Sequence, residues 1–228
     1  IDESRIFFEK SISYNNNESI YEYGKLLFKE KFNISNKEKG IFYFQQAINN
    51  GCLKAMFKYG QILLKGIEIQ KNEALGIQYI KISAEQDYPD ALFYYSQMLE
   101  KGELIPKDEN LYFKCLQKAA YKGQIDAMYY YGMELPRKQL KLNQEILKES
   151  FLFLKKSSDA GNFQSMFEYS HFIINGKVAK SDPKKGARIL KIAADNGDGN
   201  IVDEDIETAI KYLKLAADNG DEIAMTNY

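Results

Sequence analysis

Residues that often carry chemistry are scarce in this sequence of 228 residues, which has two cysteines, one histidine and no tryptophan. Cys52 and Cys115 lie far apart and share no position in the repeat described below, so we expect no repeated disulfide framework. A histidine-based metal site or a Ser-His-Asp triad would depend on His171 alone. GxGxxG, Walker A, HExxH and CxxC motifs are absent. We therefore assign no catalytic, cofactor-binding or metal-binding residue and expect a protein that is not an enzyme.

An excess of either charge is also missing. The 31 basic and 32 acidic side chains leave a formal charge of −1, which gives no long-range field to attract nucleic acid or an acidic membrane surface. No uncharged stretch approaches the roughly 18 to 20 residues that span a bilayer. The opening segment lacks the basic start and apolar core of a signal peptide. We expect a cytoplasmic protein without a nucleic-acid partner or membrane insertion.

What the sequence does have is an internal period of 36 residues. A turn residue recurs at this spacing, with one step of 38 between Gly123 and Gly161. These landmarks are Asn15, Gly51, Asp87, Gly123, Gly161 and Gly197. We count positions in each repeat from its landmark. Such a period is typical of repeat proteins, in which each unit packs on its neighbours.

The first half of each repeat predicts a helix, called helix A. Position 8 is always tyrosine: Tyr23, Tyr59, Tyr95, Tyr131 and Tyr169. Positions 4 and 9 are small, and positions 5 and 12 are mostly Leu, Ile or Met. These spacings place all five positions on one apolar helical face. Helix A is predicted to end at a left-handed C-cap, at Gly66, Gly102 or Gly176.

The second half of each repeat predicts helix B. A large apolar pair stands eight and seven residues before the next landmark, as in Tyr43-Phe44 and Phe153-Leu154. One turn later comes a small residue, such as Ala47 or Ser157. Large residues opposite small ones are typical of interdigitating helices that approach closely.

Segments such as DALFYYSQMLEKGELIPKDENLYFKCLQKAAYKG and the endings KIAADNGD and KLAADNGD resemble Sel1-like repeats, relatives of tetratricopeptide repeats. The resemblance covers essentially the whole chain. It implies an all-α, right-handed α/α superhelix, a solenoid of antiparallel helix pairs whose A helices line the concave side. It also implies an adaptor that binds a protein or peptide partner and needs no cofactor.

We expect a single solenoid over residues 1–228, with full repeats at 15–50, 51–86, 87–122, 123–160 and 161–196. Residues 1–14 read as helix B of a truncated repeat, and residues 220–228 as the start of a further repeat. Residues 197–219 lack the 13 residues of helix A. We interpret this as a gap between Asp198 and Gly199, with a true deletion as the alternative. The chain is expected to be part of a longer protein, or its ends to be covered by a neighbour.

Positions 3, 7, 10 and 14 of helix A are not needed for packing and are predicted to line the groove. The candidate partner-binding residues at positions 7 and 10 are Lys58, Gln61, Tyr94, Gln97, Tyr130, Met133, Glu168 and His171. Tyr94, Tyr130 and Met133 would form a central apolar patch suited to a peptide or helix anchor. The alternative is that these tyrosines lean on neighbouring repeats.

Position 14 carries a ladder of cations, formed by Lys29, Lys65, Lys101 and Arg137. Cations at this end of a helix suit its dipole, which is one explanation. The other is a basic edge that grips an acidic segment of the partner.

The leading functional hypothesis is a non-catalytic scaffold for protein interactions. An alternative is the regulatory repeat segment of a larger signalling enzyme, such as a protein kinase. A β-lactam-binding or β-lactam-hydrolysing enzyme is disfavoured, because the cysteine-rich relatives linked to that chemistry have paired cysteines that this chain lacks.

Overall fold

The computed structural model describes residues 16–29, 34–67, 69–138, 143–176, 178, 180–196, 211 and 214. Over these residues it contains ten α-helices and no β-strand, so the predicted all-α repeat fold is confirmed. The helices are α1 (Asn17–Lys29), α2 (Ile34–Asn49), α3 (Leu53–Lys65), α4 (Glu73–Glu85), α5 (Pro89–Lys101), α6 (Glu109–Tyr121), α7 (Ile125–Lys138), α8 (Gln144–Asp159), α9 (Phe163–Asn175) and α10 (Pro183–Asn196).

Odd-numbered helices are A helices and even-numbered helices are B helices. Helix α1 packs on α2, α3 on α4, α7 on α8 and α9 on α10. The chain divides into two compact units, an N-terminal unit over Ile1–Lys118 and a C-terminal unit over Ala119–Tyr228. Each unit therefore has its own packed helix pairs.

The four described turns from a B helix to the next A helix share one backbone geometry. At the first, the Gly51 N–H donates to the Ile48 carbonyl at 2.9 Å, and the Cys52 N–H to the Ala47 carbonyl at 2.9 Å. The same two bonds recur around Asp87, Gly123 and Gly161, and these four landmarks have positive φ values of 65° to 92°. This is the Schellman motif that closes a helix end. Asp87 adopts it without being glycine, at φ 65°.

The A helices end where the sequence predicts. Gly66, Gly102 and Gly176 cap α3, α5 and α9 with φ values of 61°, 71° and 63°. A left-handed residue at this point stops the helix and turns the chain towards helix B. The predicted C-caps are therefore confirmed.

The predicted packing face is confirmed at equivalent positions along the chain. The position-8 tyrosines are all between 1% and 8% exposed. Seven residues before each landmark, helix B carries side chains that are 0% exposed: Phe44, Ile80, Leu116, Leu154 and Leu190. The small residues one turn later are also 0% exposed: Ala47, Ser83, Ala119, Ser157 and Ala193. Residues of one class thus occupy the same buried place in each repeat.

Helices A and B cross at positions with very small side chains, where the two backbones lie close together. A Cβ added to Gly60 would lie 2.9 Å from the Gly76 carbonyl oxygen, and one added to Gly76 would lie 2.9 Å from the Gly60 carbonyl oxygen. In the C-terminal unit, Ser150 takes the place of the second glycine. Its hydroxyl donates to the Gly132 carbonyl at 2.6 Å. Small residues at this crossing let the large side chains above and below it interdigitate.

Several predicted segments lie outside the described residues. These are residues 1–14, the junction between Asp198 and Gly199, residues 220–228, and residues 197–219 apart from Lys211 and Lys214. The missing helix A and the open ends stay predictions.

Candidate functional site

The face of the A helices that is not used for packing is the candidate site. Its residues at positions 7 and 10 are half-buried, except Tyr130, which is 42% exposed. They thus lie at the border between the core and solvent, less open than a free stripe would be. Half-buried side chains of this kind can pack on a ligand without losing their contacts to the helix.

Three predicted residues line one depression in the N-terminal unit. Tyr94, Gln97 and Lys101 bound a cavity of about 150 Å³, which Met98, Glu103 and Leu104 complete. The ring of Tyr94 also packs on Phe57 of the preceding A helix, with centroids 5.7 Å apart at 70°. Burial raises the pKa of Tyr94. Tyr94 therefore leans on a neighbouring repeat, as the packing alternative predicts, and also borders a pocket.

A second depression, called the lysine pocket, lies in the same unit. Its cavity measures about 310 Å³. It is lined by Lys25, Phe28, Lys29, Phe44, Lys58, Ile62, Lys65 and Ile67. The pKa of Lys58 is lowered, first by burial and then by the charges of Lys65, Lys29 and Lys25. Two members of the predicted basic edge, Lys29 and Lys65, thus meet Lys58.

In the C-terminal unit, Tyr130 and Met133 have different surroundings. The Tyr130 ring lies 5.1 Å from that of Tyr129, at 66°, and remains partly open to solvent. Met133 packs against the buried cluster of Leu154, Tyr169 and Ile173. Met133 is therefore partly a core residue.

Glu168 and His171 lie on α9 in the same unit. The His171 ring contacts Phe167, with centroids 4.7 Å apart. Burial and then the charge of Glu168 raise the pKa of Tyr129, which belongs to the preceding A helix. The charge of Glu168 on α9 thus disfavours ionisation of Tyr129 on α7.

The predicted central patch joins Tyr94 of the N-terminal unit to Tyr130 and Met133 of the C-terminal unit. This patch stays a prediction, because its residues belong to two different compact units. Gln61 is half-buried on α3, between the core and solvent.

The members of the basic edge do not share one environment. Lys29, Lys65 and Lys101 are exposed in the last turns of their helices. Arg137 is also exposed, but its guanidinium donates to Glu134 at 3.1 Å, one turn back on the same helix. A local ion pair therefore offsets part of the Arg137 charge.

Position 3, predicted to belong to the free stripe, is exposed but also makes contacts between repeats. The side chains of Lys54 and Glu18 are 38% and 61% exposed, and the Lys54 ammonium donates to Glu18 at 2.6 Å, joining α3 to α1 across one period. In the C-terminal unit, Asp126 accepts from the amide of Asn162, at position 1 of the next repeat, at 3.1 Å. Position 3 thus faces solvent and also links successive repeats.

Sequence reasoning missed a stripe of aromatic residues at position 6. Its members are Tyr21, Phe57, Phe93, Tyr129 and Phe167. Tyr21 is 5% exposed, and the ammonium groups of Lys25 and Lys54 lie 5.4 and 5.1 Å from its ring centroid, within cation–π range. The same position-by-position count that found the tyrosines at position 8 would have revealed this stripe.

The described residues place no group of three or more His, Cys, Asp or Glu side chains where it could hold a metal ion. Cys115 is buried in the core, and burial raises its pKa; both cysteines are free thiols. None of the described helices combines the length and apolar character needed to cross a bilayer.

Comparison with protein families identifies the period. The model of the Sel1 repeat matches residues 17–52, 53–88, 89–124, 164–198 and 196–221. Residues 125–163 fall between these matches, although α7 and α8 lie there. No protein among the curated sequences matches this chain.

Solved structures with the same fold are distant in sequence. A Sel1 repeat protein from Oxalobacter formigenes has a TM-score of 0.70 at 20% identity, covering 95% of this chain and 86% of that one. The protective antigen c5321 of uropathogenic Escherichia coli, described as displaying an SLR fold, gives 0.65 at 20% identity, covering 96% and 50%. The immunity protein Pa5087 of Pseudomonas aeruginosa gives 0.50 at 14% identity, covering 78% and 64%. This chain thus spans only half the length of c5321, and these likenesses show the fold alone.

Proposed function

The chain belongs to the Sel1 repeat family, and from this premise we propose that it is a non-catalytic scaffold that binds a peptide or protein in the groove expected along its A helices. Proteins with Sel1 repeats generally act as scaffolds for protein interactions. The proposal for this chain goes further, because it names the A-helix surface and residues on it.

The observation that carries the proposal is the pocket beside Tyr94. Tyr94, Gln97 and Lys101 occupy positions 7, 10 and 14 of one helix, and they line a single cavity. An aromatic ring, an amide and a cation around a concavity can hold an apolar side chain and orient the polar backbone next to it. Tyr130 offers a second partly open ring in the C-terminal unit.

Variation along the stripe also supports binding. Position 7 changes from Lys58 to Tyr94, Tyr130 and Glu168, whereas position 8 is tyrosine throughout. A position packed between helices keeps one residue class in every repeat, since the repeats stack in the same way. A surface that recognises a partner can differ from one repeat to the next.

A peptide-display selection against the wild-type protein tests this proposal. Enriched peptides are synthesised, and their Kd is measured for the wild type and for the double variant Tyr94→Ala, Tyr130→Ala. We expect the double variant to bind about tenfold more weakly or worse, because aromatic anchors often contribute more than about 1 kcal/mol.

The matched control is the double variant Phe42→Ala, Leu152→Ala, which removes apolar groups from the B helices. These side chains are 60% and 46% exposed, one in each unit. Binding should stay within about twofold of the wild type, since surface truncations away from a binding site have small effects. Equal losses in the two double variants would contradict a site on the A helices, as would unchanged binding in both.

A further inference from the structure

The lysine pocket concentrates positive charge in a chain that is nearly neutral overall. Lys25 and Lys29 come from α1, and Lys58 and Lys65 from α3. These residues occupy positions 7, 10 and 14 of two successive A helices, so the repeat brings their side chains to one place. The formal charge of the whole chain is −1, which makes this a local feature.

Most of this charge has no carboxylate partner among the described residues. Lys25 pairs with Glu22, one turn earlier on α1. Within the described ranges, no carboxylate pairs with Lys29, Lys58 or Lys65. Burial first, and then the like charges of Lys65, Lys29 and Lys25, disfavour the charged state of Lys58 and lower its pKa. An anion placed among the lysines would offset this repulsion.

The floor of the pocket is apolar. Phe44 is fully buried beneath it, and Ile62 is 7% exposed. Phe28 and Ile67 also line the pocket, and Ile67 is 64% exposed. A cavity of about 310 Å³ lies at the small end of the range for ligand pockets. A ligand that fits must combine a large apolar group with negative charge beside it.

We propose that the lysine pocket binds an acidic segment of a partner protein, with one large apolar side chain packed against Phe28 and Ile62 and flanking carboxylates paired with the lysines. Charge complementarity between the pocket and such a segment is the main argument. An anionic membrane is a poorer match, because the chain has no net positive charge to draw it to a lipid surface. The inference rests on the proposed scaffold function and adds the chemistry of one partner segment.

The lysine pocket contains only part of the basic edge expected from the sequence. It includes Lys29 and Lys65 of that edge, together with Lys25 and Lys58 from positions 10 and 7. Lys101 lines the cavity beside Tyr94 instead, and Arg137 is paired with Glu134. Equivalent lysines should therefore differ in their contribution to binding.

A fluorescence-anisotropy titration tests the proposal. The probe is a labelled peptide of nine residues with blocked ends, made of Asp and Glu around a central Phe. Two companion peptides carry Asn and Gln in place of the acids, or Ser in place of Phe. The wild type should bind the probe at least about tenfold more tightly than either companion, since each loses charge-assisted or apolar contacts.

Protein variants then locate the site. Lys58→Met and Lys65→Met should each weaken binding of the probe by about tenfold. Lys81→Met is the control, because Lys81 lies on α4 of the same unit, is 53% exposed and lines neither the lysine pocket nor the cavity beside Tyr94. Its effect should stay within about twofold. Thermal melts confirm that each variant is folded. Equal binding of the amide companion, or equal effects of Lys65→Met and Lys81→Met, would overturn the proposal.

Vesicles of phosphatidylserine and phosphatidylcholine provide the other arm. Vesicle binding that is lost in Lys58→Met, without binding of the acidic probe, would overturn the proposal in favour of a lipid surface. The scaffold function can fail separately. If binding of the selected peptides depends on Tyr94 and Tyr130 but not on Lys58, only the acidic-segment inference is rejected. If binding of the acidic probe depends on Lys58 but no selected peptide depends on Tyr94 and Tyr130, only the binding surface proposed around these two tyrosines is rejected.

Discussion

The two faces of the A helices follow different rules. On the packed face, position 8 is tyrosine throughout and each of these tyrosines is at most 8% exposed. On the stripe next to it, position 7 reads Lys58, Tyr94, Tyr130 and Glu168, and its residues are half-buried or exposed. Adjacent residues on one helix can thus be held to one shape or left to vary. What separates them is contact with helix B, which keeps one class of side chain at the packed position in every repeat.

The largest expected effect comes from the adjacent pair Tyr131 and Tyr130. Tyr131 is 1% exposed, and its hydroxyl donates to Glu149 at 2.9 Å. Tyr131→Ala should lower the free energy of unfolding by about 3 to 5 kcal/mol, measured by urea denaturation. Tyr130→Ala should lower it by less than about 1 kcal/mol. Similar losses for the two variants would break the division between the faces.

A second test acts on the crossing of α7 and α8. A Cβ on Gly132 would lie 2.9 Å from Cγ of Leu154 and 3.2 Å from the Ser150 carbonyl oxygen. Gly132→Leu should therefore cost about 1 to 3 kcal/mol or more, because it overpacks the contact. The control is Gly123→Asp, at the turn position that Asp87 occupies with φ 65°. A Cβ there meets no neighbouring element, so the change should cost only the strain of the left-handed backbone, about 1 kcal/mol. Unchanged thermal stability of Gly132→Leu would contradict the packing scheme.

Removing one hydroxyl at the same crossing should have a smaller effect. Ser150 is 1% exposed, and its side chain donates to the Gly132 carbonyl. Ser150→Ala should lower the free energy of unfolding by about 1 kcal/mol, the usual net value of such a bond. Ser150→Gly would reproduce the crossing of Gly60 and Gly76 and should cost slightly more, because glycine weakens a helix interior. A Ser150→Ala variant as stable as the wild type would show that the hydroxyl is dispensable.

The smallest expected effect is a gain in stability instead of a loss, and it comes from Lys58 at position 7 of helix A. The pKa of Lys58 is lowered in the folded protein, so its charge destabilises the fold at neutral pH. Lys58→Met should therefore raise the melting temperature slightly. The folded wild type loses the Lys58 proton before the unfolded chain does, so the gap should narrow as pH rises through the lowered pKa towards the usual lysine value. Scanning calorimetry at pH 7 and pH 10 measures this, and a variant that melts lower than the wild type would contradict it.

The sequence was sufficient to predict the buried positions, because one residue class recurs at each of them. Phe44, Ile80 and Leu116 differ in shape, yet their shared place before the landmark identified them. The helix ends at Gly66, Gly102 and Gly176 could also be predicted, since a left-handed backbone favours glycine. Periodicity identifies whatever every repeat must have.

The candidate site was harder to predict, because it depends on contacts that differ between repeats. The ion pair of Lys54 with Glu18 requires two A helices side by side. The lysine pocket gathers positions 7, 10 and 14 from two helices, and counting one position at a time does not bring them together. Met133 shares the position of Gln97 but packs against a buried cluster, which only the local geometry of α7 and α9 determines.

The Schellman turns leave open space on their outer side. Apart from each glycine and its two neighbours in the chain, no heavy atom of the described structure lies within 4 Å of a Cβ built on Gly51, Gly123 or Gly161. A fluorophore or an affinity handle attached at an exposed residue just before such a turn, Gln86 or Ala160, would therefore stand clear of the helix crossings and keep the left-handed turn residue in place. These turn tips offer attachment points for watching a partner arrive without disturbing the face that receives it.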